Sequence, residues 1–134
     1  MFTNPDAGEL LAAVRMHLEQ QVLPALAEPR LRFQTLVASN VLAIVERELR
    51  LGPDLLARDW QRLAALEGRA DVQPAGPALA ADVLLRTERL AAAIRAGQYD
   101  DPDAERRLLA YLQQAALDEL RVANPRYRER IADV

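Results

Sequence analysis

The sequence predicts an all-α protein, a five-helix up-and-down-type bundle with its second helix central. Three observations predict it. Ala and Leu, the strongest helix formers, number 25 and 23 of 134 residues, and 17 Arg join them. Proline recurs at Pro5, Pro29, Pro53, Pro77, Pro102 and Pro125, at intervals of 23 to 25 residues. Between the prolines, apolar residues repeat every three or four positions, and no alternating runs occur.

Helices are expected at about 6–26, 30–51, 54–67, 78–96 and 103–123. Proline suits a first helical position, where its missing N–H has no intrahelical partner. Pro5, Pro53 and Pro102 are each followed by Asp, which favours the positive end of the helix dipole. Asn4 and Asp101 stand where an N-cap belongs. The first helix carries Leu11, Val14, Leu18, Val22 and Ala25 on one face, and Pro24 is expected to kink or fray its end. The second differs: Phe33, Leu36, Val37, Val41, Leu42, Ile44, Val45 and Leu49 cover nearly its whole circumference. A helix apolar all round is buried all round, so this one is central or also lines a dimer interface. Gly52 and Pro53 read as its stop and the next start. The third helix shows Leu56, Trp60 and Leu63, and Gly68 ends it; residues 69–76 form the one real loop. The fourth shows Leu79, Val83, Leu90 and Ile94, with Ala91, Ala92 and Ala93 allowing close approach of a neighbour; Gly97 ends it. The fifth shows Leu108, Leu109, Leu112, Ala116, Leu120 and Ala123 and ends at Asn124-Pro125. Residues 120–134 read as its end and an Arg-rich tail. The proline period also suits a solenoid, but the segments share little beyond Pro and Leu, and each holds one helix rather than a pair.

Missing residue types exclude much chemistry. There is no Cys, which removes disulfides, thiol catalysis, iron–sulfur clusters and Cys-bound zinc. One His and one Ser leave little for a triad, and a single His17 cannot supply the paired His of a di-iron bundle. Five scattered glycines make no phosphate or dinucleotide loop. A net charge of −3 and the absence of Lys argue against a nucleic-acid binder. No apolar run approaches the ~20 residues of a membrane span. Residues 3–9 lack a positive leader region. The expectation is one cytoplasmic domain over 1–134, without cofactor, metal, nucleic acid or membrane.

A few residues stand out as candidate contacts. Asn40 lies in the most apolar helix, where an amide either pins the core or faces a pocket or partner. Arg47 and Glu48 follow two turns later, and Glu48 shares the Leu36-Asn40-Ile44 face. Thr87, on the fourth helix, completes a polar slot if the two helices face each other. Arg126 and Tyr127 lie in an Arg-rich stretch that suits an acidic partner or a phosphate, or cations at a helix end. Asp100, Asp101, Asp103 and Glu105 suit a hard cation but also helix capping, which explains Pro102 as well. His17, at the edge of an apolar stripe, reads as a half-exposed structural side chain rather than a base.

Glu9-Leu10-Leu11-Ala12-Ala13-Val14-Arg15, Val22-Leu23-Pro24, the run from Val37 through Asn40 to Leu49, and the closing Asn124-Pro125-Arg126-Tyr127 resemble a bacterial family of small uncharacterised helical proteins over about 7–127. The resemblance implies a role beside aminoglycoside-phosphotransferase-like kinases and acyl-CoA dehydrogenases. It brings no catalytic residues. The resulting expectation is a non-enzymatic accessory protein, a homodimer, that works with a kinase-like or acyl-CoA-handling enzyme. The alternative is a small-molecule-binding bundle or enzyme with a polar slot near Asn40, Arg47 and Glu48. A helical DNA-binding regulator fits the charge balance least.

Overall fold

The computed structural model describes residues 4–132, and among them every regular element is helical. Helix α1 spans Ala7–His17. Asp6 caps it: its carboxylate accepts from the Glu9 N–H at 2.8 Å, and the Glu9 carboxylate accepts from the Asp6 N–H at 2.8 Å. A π-helical segment, Leu18–Val22, follows, and the short α2 spans Leu23–Ala25. The irregularity expected at Pro24 takes the form of a widened turn just before it, and the helix ends one residue after it. Proline brings no N–H to the helical ladder, and a wide turn re-registers the bonds around the gap. Arg32 closes the end of α2 by donating to the Leu23 and Leu26 carbonyls at 2.9 and 3.0 Å.

Helix α3 spans Pro29–Glu67. The Glu28 carboxylate starts it by accepting from the Arg30 and Leu31 N–H groups, both at 2.9 Å. The sequence predicts a break at Gly52-Pro53, but the helix runs through it with Pro53 inside. Gly52 keeps a negative φ, so the left-handed turn that stops a helix is absent. Proline's own φ is helical, and the chain gives up one ladder bond rather than unwinding. At Gly68 the left-handed turn does occur, with φ at 68°. There the Arg69 N–H reaches back to the Ala64 carbonyl at 2.9 Å, closing the helix.

Helices α4 (Pro77–Arg95), α5 (Pro102–Ala123) and α6 (Pro125–Ala132) complete the chain. Asp101 caps α5, accepting from the Asp103 and Ala104 N–H groups at 3.1 and 3.0 Å. The acidic run at 100–105 thus contains a cap. The expected Arg-rich tail is largely helical as α6, because Pro125 restarts a helix whose Tyr127 and Ile131 lie one turn apart. Residues 133 and 134 of that tail lie outside the described residues.

The chain forms two compact units. Unit one comprises the residues up to Gly52 with Val122–Asn124; unit two comprises Pro53–Arg121 and the residues from Pro125 on. In unit two, Trp60, Leu63, Ala64, Val83, Leu90 and Leu108 form the core. The predicted stripes of the third and fourth helices supply most of it. Ile94, Leu109 and Leu112, expected inside, are 39%, 57% and 43% exposed. Arg86 takes a place in the interior instead, at 4% exposure.

Unit one has little apolar core. Ser39 and Val122 are its fully buried residues among those described. Enclosure within the chain, one of the two expectations for 30–51, does not describe the outward side of that segment. Phe33 is 66% exposed, Val41 51% and Val37 46%.

Candidate functional site

A groove of about 770 Å³ in unit one collects the chain's most suggestive polar groups. Its walls are the first turns of α1 and the stretch of α3 around Glu46. Ala12 and Ala43 belong to the lining, as do Arg15, Glu46, Arg47 and Arg50. Residues 43, 46, 47 and 50 share one helical face by their spacing of three and four.

The electrostatics centre on Glu46. Arg15 Nε donates to it at 2.6 Å. That bond holds the Glu46 carboxyl below its usual range, and the charges of Arg50 and Arg47 add to the effect. The same bond raises the Arg15 pKa. Arg47 Nε donates to the Val122 carbonyl at 2.6 Å, which points its guanidinium without neutralising it. Asp6 and Glu9 also line the groove, but both serve the α1 cap. The lining thus holds three carboxylates and three guanidiniums; Arg15 is paired with Glu46, while Arg47 and Arg50 make no ion pair among the described residues, and an added anion would find charge-assisted donors there.

A polar seam runs inward from this rim. Arg15 also reaches Glu19 at 3.4 Å, and Glu19 accepts a short hydrogen bond from the buried Ser39 hydroxyl. Glu19 belongs to the π-helical segment, so the widened turn carries one end of the seam. The lone serine is thus structural.

The predicted site residues fare unequally. Arg47 lies in the groove. Asn40 is exposed on α3, so the core-amide reading is overturned. The physical reason is phase: Ser39, one residue earlier, takes the buried position. Glu48 is exposed, and the Thr87 hydroxyl bonds the Val83 carbonyl of its own helix at 2.9 Å. Neither belongs to the lining of the groove. Arg126 and Tyr127 lie on α6, in unit two. There Arg130 stacks over the Tyr127 ring at 5.3 Å. His17 is exposed in the last turn of α1.

Sequence reasoning missed two clusters. Arg86 donates to Glu67 and Asp71 at 2.6 Å and to Asp82 at 2.9 Å, and lies 4.9 Å from the Trp60 ring centre. The Trp60 Nε1–H donates to the same Asp82 carboxylate at 2.6 Å. A signal existed: 79, 83, 86 and 90 continue one apolar stripe, and position 86 is charged. The second cluster is Asp59 beside Tyr111. Burial raises the Asp59 carboxyl, and its Oδ1 has no hydrogen-bond partner. The Tyr111 phenol is raised as well, by burial and by Asp59.

Fold and groove together define a small all-α protein with an arginine-lined cleft. The chain belongs to the DUF6285 family, a domain of unknown function, which matches residues 24–127. That the chain belongs to an uncharacterised family, as the resemblance implies, is thus shown; Glu9–Arg15 and Val22-Leu23 precede the match. No curated protein and no solved structure matches the chain.

Proposed function

We propose that this protein is a non-enzymatic accessory protein of the cytoplasm, acting as a homodimer. Its groove receives an acidic segment of a phosphotransferase-like or acyl-CoA-handling enzyme. The observation that carries this reading is that Arg47 and Arg50 line the groove without an ion pair of their own among the described residues. Arginine forks bind carboxylates in paired hydrogen bonds, so Arg47 and Arg50 suit Asp or Glu side chains on a partner. No helix among the described residues is long and apolar enough to cross a membrane, which is consistent with this setting.

The test is affinity capture from the native host with wild type and Arg50→Glu. Arg50 makes no hydrogen bond or ion pair among the described residues, so its reversal is expected to leave the fold intact. The expected result is capture of one such enzyme by wild type, weakened by salt and lost in the variant. Capture indifferent to both salt and Arg50→Glu would overturn the reading.

A second reading follows from the volume of the groove, which suits a small molecule. A phosphorylated metabolite would use the same two arginines. Thermal shift with coenzyme A, ATP and inorganic phosphate separates the two: a ligand at 100 times its dissociation constant stabilises by about 2.7 kcal/mol.

A further inference from the structure

The outward side of α3 in unit one has a chemical pattern whose two ends are complementary. At about 100° per residue, Arg30, Phe33, Val37, Val41, Ile44 and Glu48 fall within a stripe about 80° wide, opposite the buried Ser39. Cation, apolar residues and anion follow in that order. The end charges and the central valines are evenly placed about residue 39: Arg30 and Glu48 stand nine positions either side and Val37 and Val41 two, while Phe33 and Ile44 stand six and five. Phe33, Val37 and Val41 are uncovered, at 66%, 46% and 51% exposure, and Ile44 is half-buried. Arg30 and Glu48 are exposed, and among the described residues neither meets an opposite charge.

We infer that this face is an antiparallel, two-fold interface with a second copy of the chain, centred at the level of residue 39. The inference rests on the dimeric state proposed above and specifies its surface and register. In this arrangement Arg30 faces the partner's Glu48, and symmetry supplies the same pair at the other end. Phe33 packs on the turn of the partner's Ile44, and Val37 on the partner's Val41. A two-fold interface must be self-complementary, and this stripe is so only when antiparallel. Parallel pairing would set Arg30 on the partner's Arg30 and Glu48 on the partner's Glu48. Unit one also has the greater need of cover, since Val122 is its one fully buried apolar residue among those described. The interface lies on the side of α3 away from Ser39 and leaves the groove open.

The test is sedimentation equilibrium on the intact chain with charge reversals. Arg30→Glu and Glu48→Arg each place like charges at both ends, and each is expected to raise the dimer dissociation constant roughly tenfold. The double variant restores opposite charges and is expected to return within about threefold of wild type. Val37→Arg, at an exposed position, is expected to give a folded monomer by circular dichroism and sedimentation. A wild-type monomer at tens of micromolar would overturn both the dimeric state and this face. A dimer that survives Val37→Arg would overturn the face alone. Weakening by both single reversals without recovery in the double variant would overturn the antiparallel register.

Discussion

Arg86 and Asn40 exchange the roles that their residue types suggest. The arginine is buried and the amide is exposed. All three donor sides of the Arg86 guanidinium are engaged, by Asp82, Glu67 and Asp71, so removing it strands Glu67 and leaves Asp82 with Trp60 alone and Asp71 with Arg69 alone. Breaking a buried ion pair costs about 3–5 kcal/mol, and these partners keep some contact with water. Arg86→Ala is expected to destabilise by about 3 kcal/mol, measured by urea unfolding. Asn40→Leu is expected to change the same free energy by less than about 0.5 kcal/mol, since an exposed amide loses no buried partner. The sequence made Asn40 conspicuous because its neighbours are apolar all round. Such a pattern carries no phase, and no count of apolar positions reveals which side turns inward. The side is set by Ser39 with Glu19 and by Glu46 with Arg15, pairings 20 and 31 residues apart that a single sequence does not display.

At the scale of elements, starts were more legible than stops. Pro29, Pro77, Pro102 and Pro125 each open a helix, because the proline ring presets φ and needs no donor. Gly68 and Gly97 end helices with φ at 68° and 76°. Gly52 does not, because glycine permits the left-handed turn without requiring it. A helix that tolerates an internal proline does so at a cost of up to ~3 kcal/mol relative to Ala. Pro53→Ala restores the missing N–H but frees the unfolded chain, which offsets part of the gain. The expected net effect is stabilisation by about 1 kcal/mol, read as a higher midpoint in thermal unfolding followed by circular dichroism. Two separate helices with Pro53 at a first position would give the opposite sign. The groove was legible only at Arg47; Arg15 and the α1 cap enter it through packing, which periodicity alone does not specify.

For the whole molecule, ionisation sets the dependence of stability on pH. Hydrogen bonds from Arg15 lower Glu46, and hydrogen bonds from Arg86 lower Asp71 and Asp82. A carboxyl lowered in the fold contributes stability that is complete above its unfolded value and lost as pH falls through the folded one. Asp59 has the opposite sign. Burial raises it, so its contribution is complete in acid and lost as pH rises through the folded value. The unfolding midpoint is expected to hold near neutrality and to fall in acid, below about pH 4. Asp59→Asn is expected to raise the midpoint at pH 7, with the gain shrinking as the pH approaches that of the unfolded carboxyl. Parallel melting curves of wild type and variant between pH 7 and pH 3 check both.

The π-helical segment also constrains how the chain can vary in length. Gln20 and Gln21 are exposed and polar, and by composition they look like a place where a residue could be gained or lost without harm. Yet the segment joins two fixed ends: Arg15 and Glu19 are tied to Glu46 and Ser39 on one side, and the Leu23 and Leu26 carbonyls are held by Arg32 on the other. A π turn already holds one residue more than an α turn, so losing one leaves a regular α turn between these ends, whereas gaining another would rotate them by about 100°. Lineages descended from this chain are therefore expected to tolerate a deletion here better than an insertion.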